Sequence, residues 1–113
     1  MIKVKLYFRN EVLWRFRVAG HSGYAEAGAD IVCSAVSLLV FNTVNSITEF
    51  TTEMISVDEI DQEQGIVDCH FQHRRQGQAN KECTLLLKSM LLGLYSIEGM
   101  YGEYIKIQTI NNE

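Results

Sequence analysis

The run from Ile31 to Phe41 constrains this chain more than any other stretch. Ile31, Val32, Ala35, Val36, Leu38, Leu39, Val40 and Phe41 fall in a segment that reads as helix, and at 3.6 residues per turn they cover it almost all round. Such a helix needs cover on more than one side, from a second layer of the domain or from a partner subunit. Its continuation to Phe50 narrows to a stripe of Val44, Ile47 and Phe50. With 113 residues there is room for one core, so residues 1–113 are expected to form a single domain whose remaining elements build that cover.

Those elements read as strands and one further helix. Ile2, Val4, Leu6 and Phe8 alternate with Lys3, Lys5, Tyr7 and Arg9, and Val12, Trp14, Phe16 and Val18 alternate with Leu13, Arg15, Arg17 and Ala19. Period-two alternation on both sides of Asn10-Glu11 predicts a hairpin with one apolar face and one basic face. Met54–Ile60 and Ile66–Phe71 predict a second strand pair, with Val67, Cys69 and Phe71 inward and Asp68 and His70 outward. His73 to Ala79 reads as a polar surface loop. From Asn80, the spacing of Cys83, Leu86, Leu87, Met90, Leu91, Leu94 and Ile97 predicts a helix that Gly99 to Gly102 stops, and Ile105 and Ile107 carry a last strand. The order ββαββαβ implies an α+β two-layer sandwich, a mostly antiparallel sheet with two helices on one face. Strand order stays open.

Composition narrows the function classes. The 47% hydrophobic and 21% charged shares are those of an ordinary globular domain. A formal charge of −4 argues against nucleic acid as the main partner. No uninterrupted apolar run reaches the roughly 18 residues of a membrane span, and no membrane partner is expected. The first residues alternate charged and apolar types, unlike a secretory leader. The cysteines Cys33, Cys69 and Cys83 then read as reduced thiols of a cytoplasmic protein. Cys69, His70, His73 and Cys83 do not make a metal site, because adjacent strand residues point to opposite faces. No metal or other cofactor is expected, and Cys69 and Cys83 read as core thiols.

The chemistry concentrates between Gly20 and Ser37. Gly20, Gly23 and Gly28 mark a permissive, mobile loop that carries His21 and Ser22. Asp30 then offers an N-cap to the helix, with its carboxylate accepting from amides two or three residues on, and Cys33 falls in the first turn. A helix dipole and a nearby imidazolium both favour a thiolate there, and free amides at the same helix end suit a tetrahedral oxyanion. Asp30 has a second possible use, orienting the imidazole. Ser37, four residues past Cys33, lies on the same helical side as a pocket residue.

The run Gly20-His21-Ser22-Gly23-Tyr24-Ala25, followed by Gly28-Ala29-Asp30-Ile31-Val32-Cys33-Ser34-Ala35-Val36-Ser37, resembles the signature of the ribosomal-processing cysteine proteases, the Prp family. The resemblance extends in length and element order over essentially the whole chain. It implies a cysteine endopeptidase with Cys33 as nucleophile and His21 as base. It implies a substrate as well, the N-terminal extension of large-subunit ribosomal protein L-twenty-seven, cut after an aromatic pair. It also implies a homodimer, which agrees with the all-round apolar helix. The rival reading is a non-catalytic ribosome-assembly module that touches RNA or a ribosomal protein through the basic hairpin face and His73-Arg74-Arg75.

Overall fold

A computed structural model describes residues 1–20, 27–61 and 63–112. The elements are β1 (Ile2–Arg9), β2 (Val12–Ala19), α1 (Ala27–Phe50), β3 (Ser56–Asp61), β4 (Ile66–His70), α2 (Gln72–Arg75), α3 (Lys81–Tyr101) and β5 (Ile105–Asn111). The five strands form one sheet in the order β3-β4-β2-β1-β5. Every neighbouring pair is antiparallel except β1 and β5, which run parallel from Ile2 opposite Ile105 to Phe8 opposite Asn111.

Alternation on the strands sorts the two faces. Val4, Leu6, Phe16, Val67, Cys69 and Ile105 are buried together with Val32, Val36 and Val40 of α1 and Leu87, Met90 and Leu94 of α3. Asn80 caps α3 by accepting from the Cys83 amide at 2.8 Å. The first hairpin turns through Asn10 and Glu11, both with positive φ (50° and 68°), the geometry of a type I′ turn.

Three sequence expectations are corrected. Trp14 does not share the inward face with Phe16. The β1–β2 register passes from Tyr7 opposite Arg15 to Phe8 opposite Leu13, so Trp14 is the extra residue of a bulge. Leu13 enters the core in its place. Trp14 turns to the outer face, 6.1 Å from the Tyr7 ring and 4.9 Å from the Arg75 guanidinium, measured between ring centroids and to the indole centroid. The stretch from His73 is not wholly surface loop, because α2 buries Arg74. The Arg74 Nε donates to the Leu13 carbonyl at 2.7 Å and an Nη1 donates to Thr84 Oγ1 at 2.7 Å. The third strand starts at Ser56 rather than Met54 and is an exposed edge, with Val57 and Ile60 turned to solvent.

By length and composition alone, α1 and α3 are apolar enough to cross a membrane, with mean hydropathies of 1.6 and 1.2. One side of each lies on the sheet. The other side leaves Ile31 and Leu38 of α1, and Leu85, Leu92 and Tyr95 of α3, open to solvent. The two helices touch closely enough that a Cβ on Gly93 would meet the Leu39 side chain at 2.7 Å.

Candidate active site

The end of β2 and the start of α1 frame the predicted site. Gly20 closes β2 at φ +111°, and a Cβ there would fall on the Met1 carbonyl oxygen, so only glycine fits. His21, Ser22 and Gly23 lie outside the described residues. Gly28 is not loop. It belongs to the first turn of α1, where a Cβ would meet the Tyr104 ring at 3.1 Å.

Asp30 is not the N-cap. The described helix already runs from Ala27, which puts Asp30 inside its first turn, exposed, and Cys33 at its seventh residue. The dipole acts mainly within the first turn, so it reaches Cys33 less than the sequence implies. An α-helix leaves its first four amides without partners inside the helix. The Cys33 amide lies beyond them, within the helical ladder.

The three thiols differ sharply in setting. Cys69 and Cys83 are fully buried, and burial pushes their pKa values up to about 12 and about 11. Cys33 is half-buried at the margin of the core. Cys69 points inward and His70 outward, as their adjacency on β4 predicts.

Cys33, Ser37 and Phe41 recur at intervals of four and share one side of α1. Ser37 and Phe41, with Val40, wall a cavity of about 230 Å³ closed by Val18 of β2, Val67 of β4 and the hairpin residues Asp61, Gly65 and Ile66. Ser37 lines this cavity, and Cys33 is not among its walls. Phe41 and Ile66 were not singled out as pocket residues. The i+8 relation to Cys33 was a readable signal for Phe41, whereas Ile66 arrives through strand pairing that local pattern does not encode.

The outer sheet face is ionic. Arg15 donates to both Asp68 oxygens at 3.0 and 2.8 Å, and Arg17 bridges Asp68 at 3.0 Å and Glu59 at 2.8 Å. Burial alone would raise the Asp68 pKa, but hydrogen bonds from Arg15 and Arg17 outweigh it and hold the carboxyl below its ordinary value. The hydrogen bond to Asp68 raises Arg15, and the one to Glu59 leads in raising Arg17. His70 Nδ1 lies 2.7 Å from Asp58 Oδ2 on this same face, and the His73 ring stands 4.0 Å from Glu53. Among the described residues no cluster of His, Cys, Asp and Glu is arranged to hold a metal ion.

The fold of this chain, a five-stranded mixed sheet covered by helices, is shared with solved cysteine proteases. The ribosomal processing protease Prp of Staphylococcus aureus in complex with a substrate peptide superposes with a TM-score of 0.85 at 29% identity, covering 96% of this chain and 99% of that one. The same enzyme with a covalently linked product peptide superposes with a TM-score of 0.83 at 30% identity and the same coverage. In sequence, the S. aureus ribosomal processing cysteine protease Prp is 36% identical over 88 residues, 78% of each chain. The profile of the cysteine protease Prp family matches residues 1–106, and the chain belongs to that family.

Proposed function

We propose that this chain removes the N-terminal extension of large-subunit ribosomal protein L-twenty-seven, cutting after an aromatic pair with Cys33 as nucleophile and His21 as general base. One observation carries the assignment of the thiol. A relative that aligns over nearly the full length holds its product covalently, and of the three thiols here only Cys33 is not sealed in the core. Of the other histidines, His70 faces Asp58 on the outer sheet face and His73 faces Glu53, while His21 comes two positions after the last residue of β2 in the sequence.

The reaction follows from these groups. His21 takes the Cys33 proton, and the thiolate attacks the peptide carbonyl to give a tetrahedral oxyanion. The C–N bond breaks as His21 returns the proton to the leaving amine. Water, deprotonated by His21, then attacks the thioester, releasing the acid and restoring the thiol. Asp30 stands one turn before Cys33 on the exposed side of the helix start. From there it is a candidate to orient the imidazole.

The open faces of α1 and α3 fit a second copy of the chain, in line with the homodimer that the family resemblance implies. Free thiols fit a reducing, cytoplasmic setting. The RNA-binding rival loses three of its cations, since Arg15 and Arg17 are engaged by carboxylates and Arg74 is buried. The direct test is mass analysis of peptides spanning the ribosomal extension. The wild-type chain cuts after the aromatic pair, and a folded Cys33→Ser variant leaves the peptide intact. Cleavage by that variant at the wild-type rate removes Cys33 from the mechanism.

A further inference from the structure

The five arginines divide into two sets. Arg15 and Arg17 are held by Asp68 and Glu59, and Arg74 is buried against the Leu13 carbonyl and Thr84. The other two, Arg9 and Arg75, are distant in sequence but line one cavity of about 300 Å³, together with Asn10, Val12, Gln76 and Gly77. Arg9 pairs with Val12 across the first hairpin, and their neighbours Phe8 and Leu13 face the core. Arg9 and Val12 therefore stand on the outer face, across the sheet from Cys33.

We propose that this outer cavity binds a phosphate monoester. Its walls hold two guanidiniums and no carboxylate, and Glu11 of the adjoining turn is not among them. Every lysine and arginine of the chain falls in residues 1–17 or 74–106, and the cavity takes its walls from both segments. Among the described residues Arg9 makes no hydrogen bond or ion pair, so its donors are open to a ligand. Arg75 is set in place beforehand. Its amide donates to the Phe71 carbonyl at 3.0 Å, and its guanidinium lies 4.9 Å from the centre of the Trp14 indole. A phosphate monoester carries about two negative charges at neutral pH, which balance both guanidiniums, whereas a carboxylate or a phosphodiester balances one. Its terminal oxygens accept from two planar forks at once, and the exposed Asn10 and Gln76 side chains supply further amide donors. Gly77 leaves room for whatever carries the phosphate, since a Cβ there would meet nothing within 4 Å. The volume suits a phosphate on a small carrier, at the lower end of small-ligand sites.

Trp14 is the one tryptophan of the chain and carries Arg75 on its ring, so its fluorescence reports an anion arriving at that guanidinium. Titration with inorganic phosphate or adenosine monophosphate at constant ionic strength is expected to give a saturable change, half complete at about 1 mM or below. Acetate and adenosine give none. Arg9→Gln, at an exposed residue, weakens binding roughly tenfold or more and leaves peptide cleavage in the absence of phosphate unchanged. Arg75→Gln, followed by calorimetry because its fluorescence baseline differs, shows the same loss. Equal affinity for the two ligands assigns the site to the free anion, and tighter binding of the monophosphate assigns it to a small phosphorylated compound. No saturable change with either ligand, or one that Arg9→Gln leaves untouched, overturns the proposal. A response to RNA without terminal phosphates, with none to phosphate or the monophosphate, overturns it in favour of nucleic acid. The cleavage reading is separate, since a chain that cuts no peptide still binds phosphate here.

Discussion

Thiols on one chain separate by burial before any catalytic partner is considered. Cys69 and Cys83 face the core, where an anion has no water, and burial holds them at about 12 and about 11. Alkylation by iodoacetamide at pH 8 therefore modifies Cys33 alone in the native protein, and all three after denaturation. Peptide mapping by mass reads the result, and labelling of Cys69 at the rate of Cys33 contradicts the burial described here. Arg74 shows the converse at the same scale. It reads as part of a solvated basic loop, yet its guanidinium satisfies the Leu13 carbonyl exposed by the neighbouring bulge. Neither half of that pair is visible locally, because the donor and the acceptor are 61 positions apart.

The turn of the first hairpin is an element whose sequence works against its geometry. Glu11 holds φ at 68° without being glycine, in a type I′ turn that favours Asn-Gly. Glu11→Gly is expected to stabilise the fold by about 1 kcal/mol, read as a raised urea midpoint with an unchanged slope. Periodicity made the strands and α3 legible, with the inward placement of Val67, Cys69 and Phe71 and the stripe from Cys83 to Ile97. It failed at Trp14, because one bulged residue inverts the alternation. It failed also at the start of α1. Asp30 is a good cap by type, but the described helix already includes Ala27, Gly28 and Ala29. Cys33 and His21 were named through motif rather than pattern, and His21 lies outside the described residues, whereas the cavity wall at Ile66 depends on tertiary pairing.

Across the whole molecule, charge and apolar surface lie on opposite sides. Asp68 is almost sealed on the outer sheet face between two arginines, and its folded pKa lies below that of the unfolded chain. Its contribution is fully present above the unfolded carboxylate value of about 4 and is lost as pH falls through the lower folded value. Asp68→Asn should cost about 2 kcal/mol at pH 7 and flatten the loss of stability below pH 4, as followed by urea titrations. On the other side, Leu38 and Leu92 are 74% and 73% exposed. If this face joins two copies, Leu38→Glu combined with Leu92→Glu shifts the sedimenting species from dimer to monomer. A monomeric wild-type chain at micromolar concentration ends that proposal.

The parallel pairing of β1 with β5 has a consequence for synthesis. Ile2 lies against Ile105, and the Ile2 amide donates to the Tyr104 carbonyl at 2.8 Å. Until the ribosome has delivered that late strand, an early one waits with one rim bare, its amides and carbonyls open to any passing chain. Contacts so distant along the polymer form slowly, so this protein meets its greatest hazard of clumping as a newborn chain rather than as a finished one.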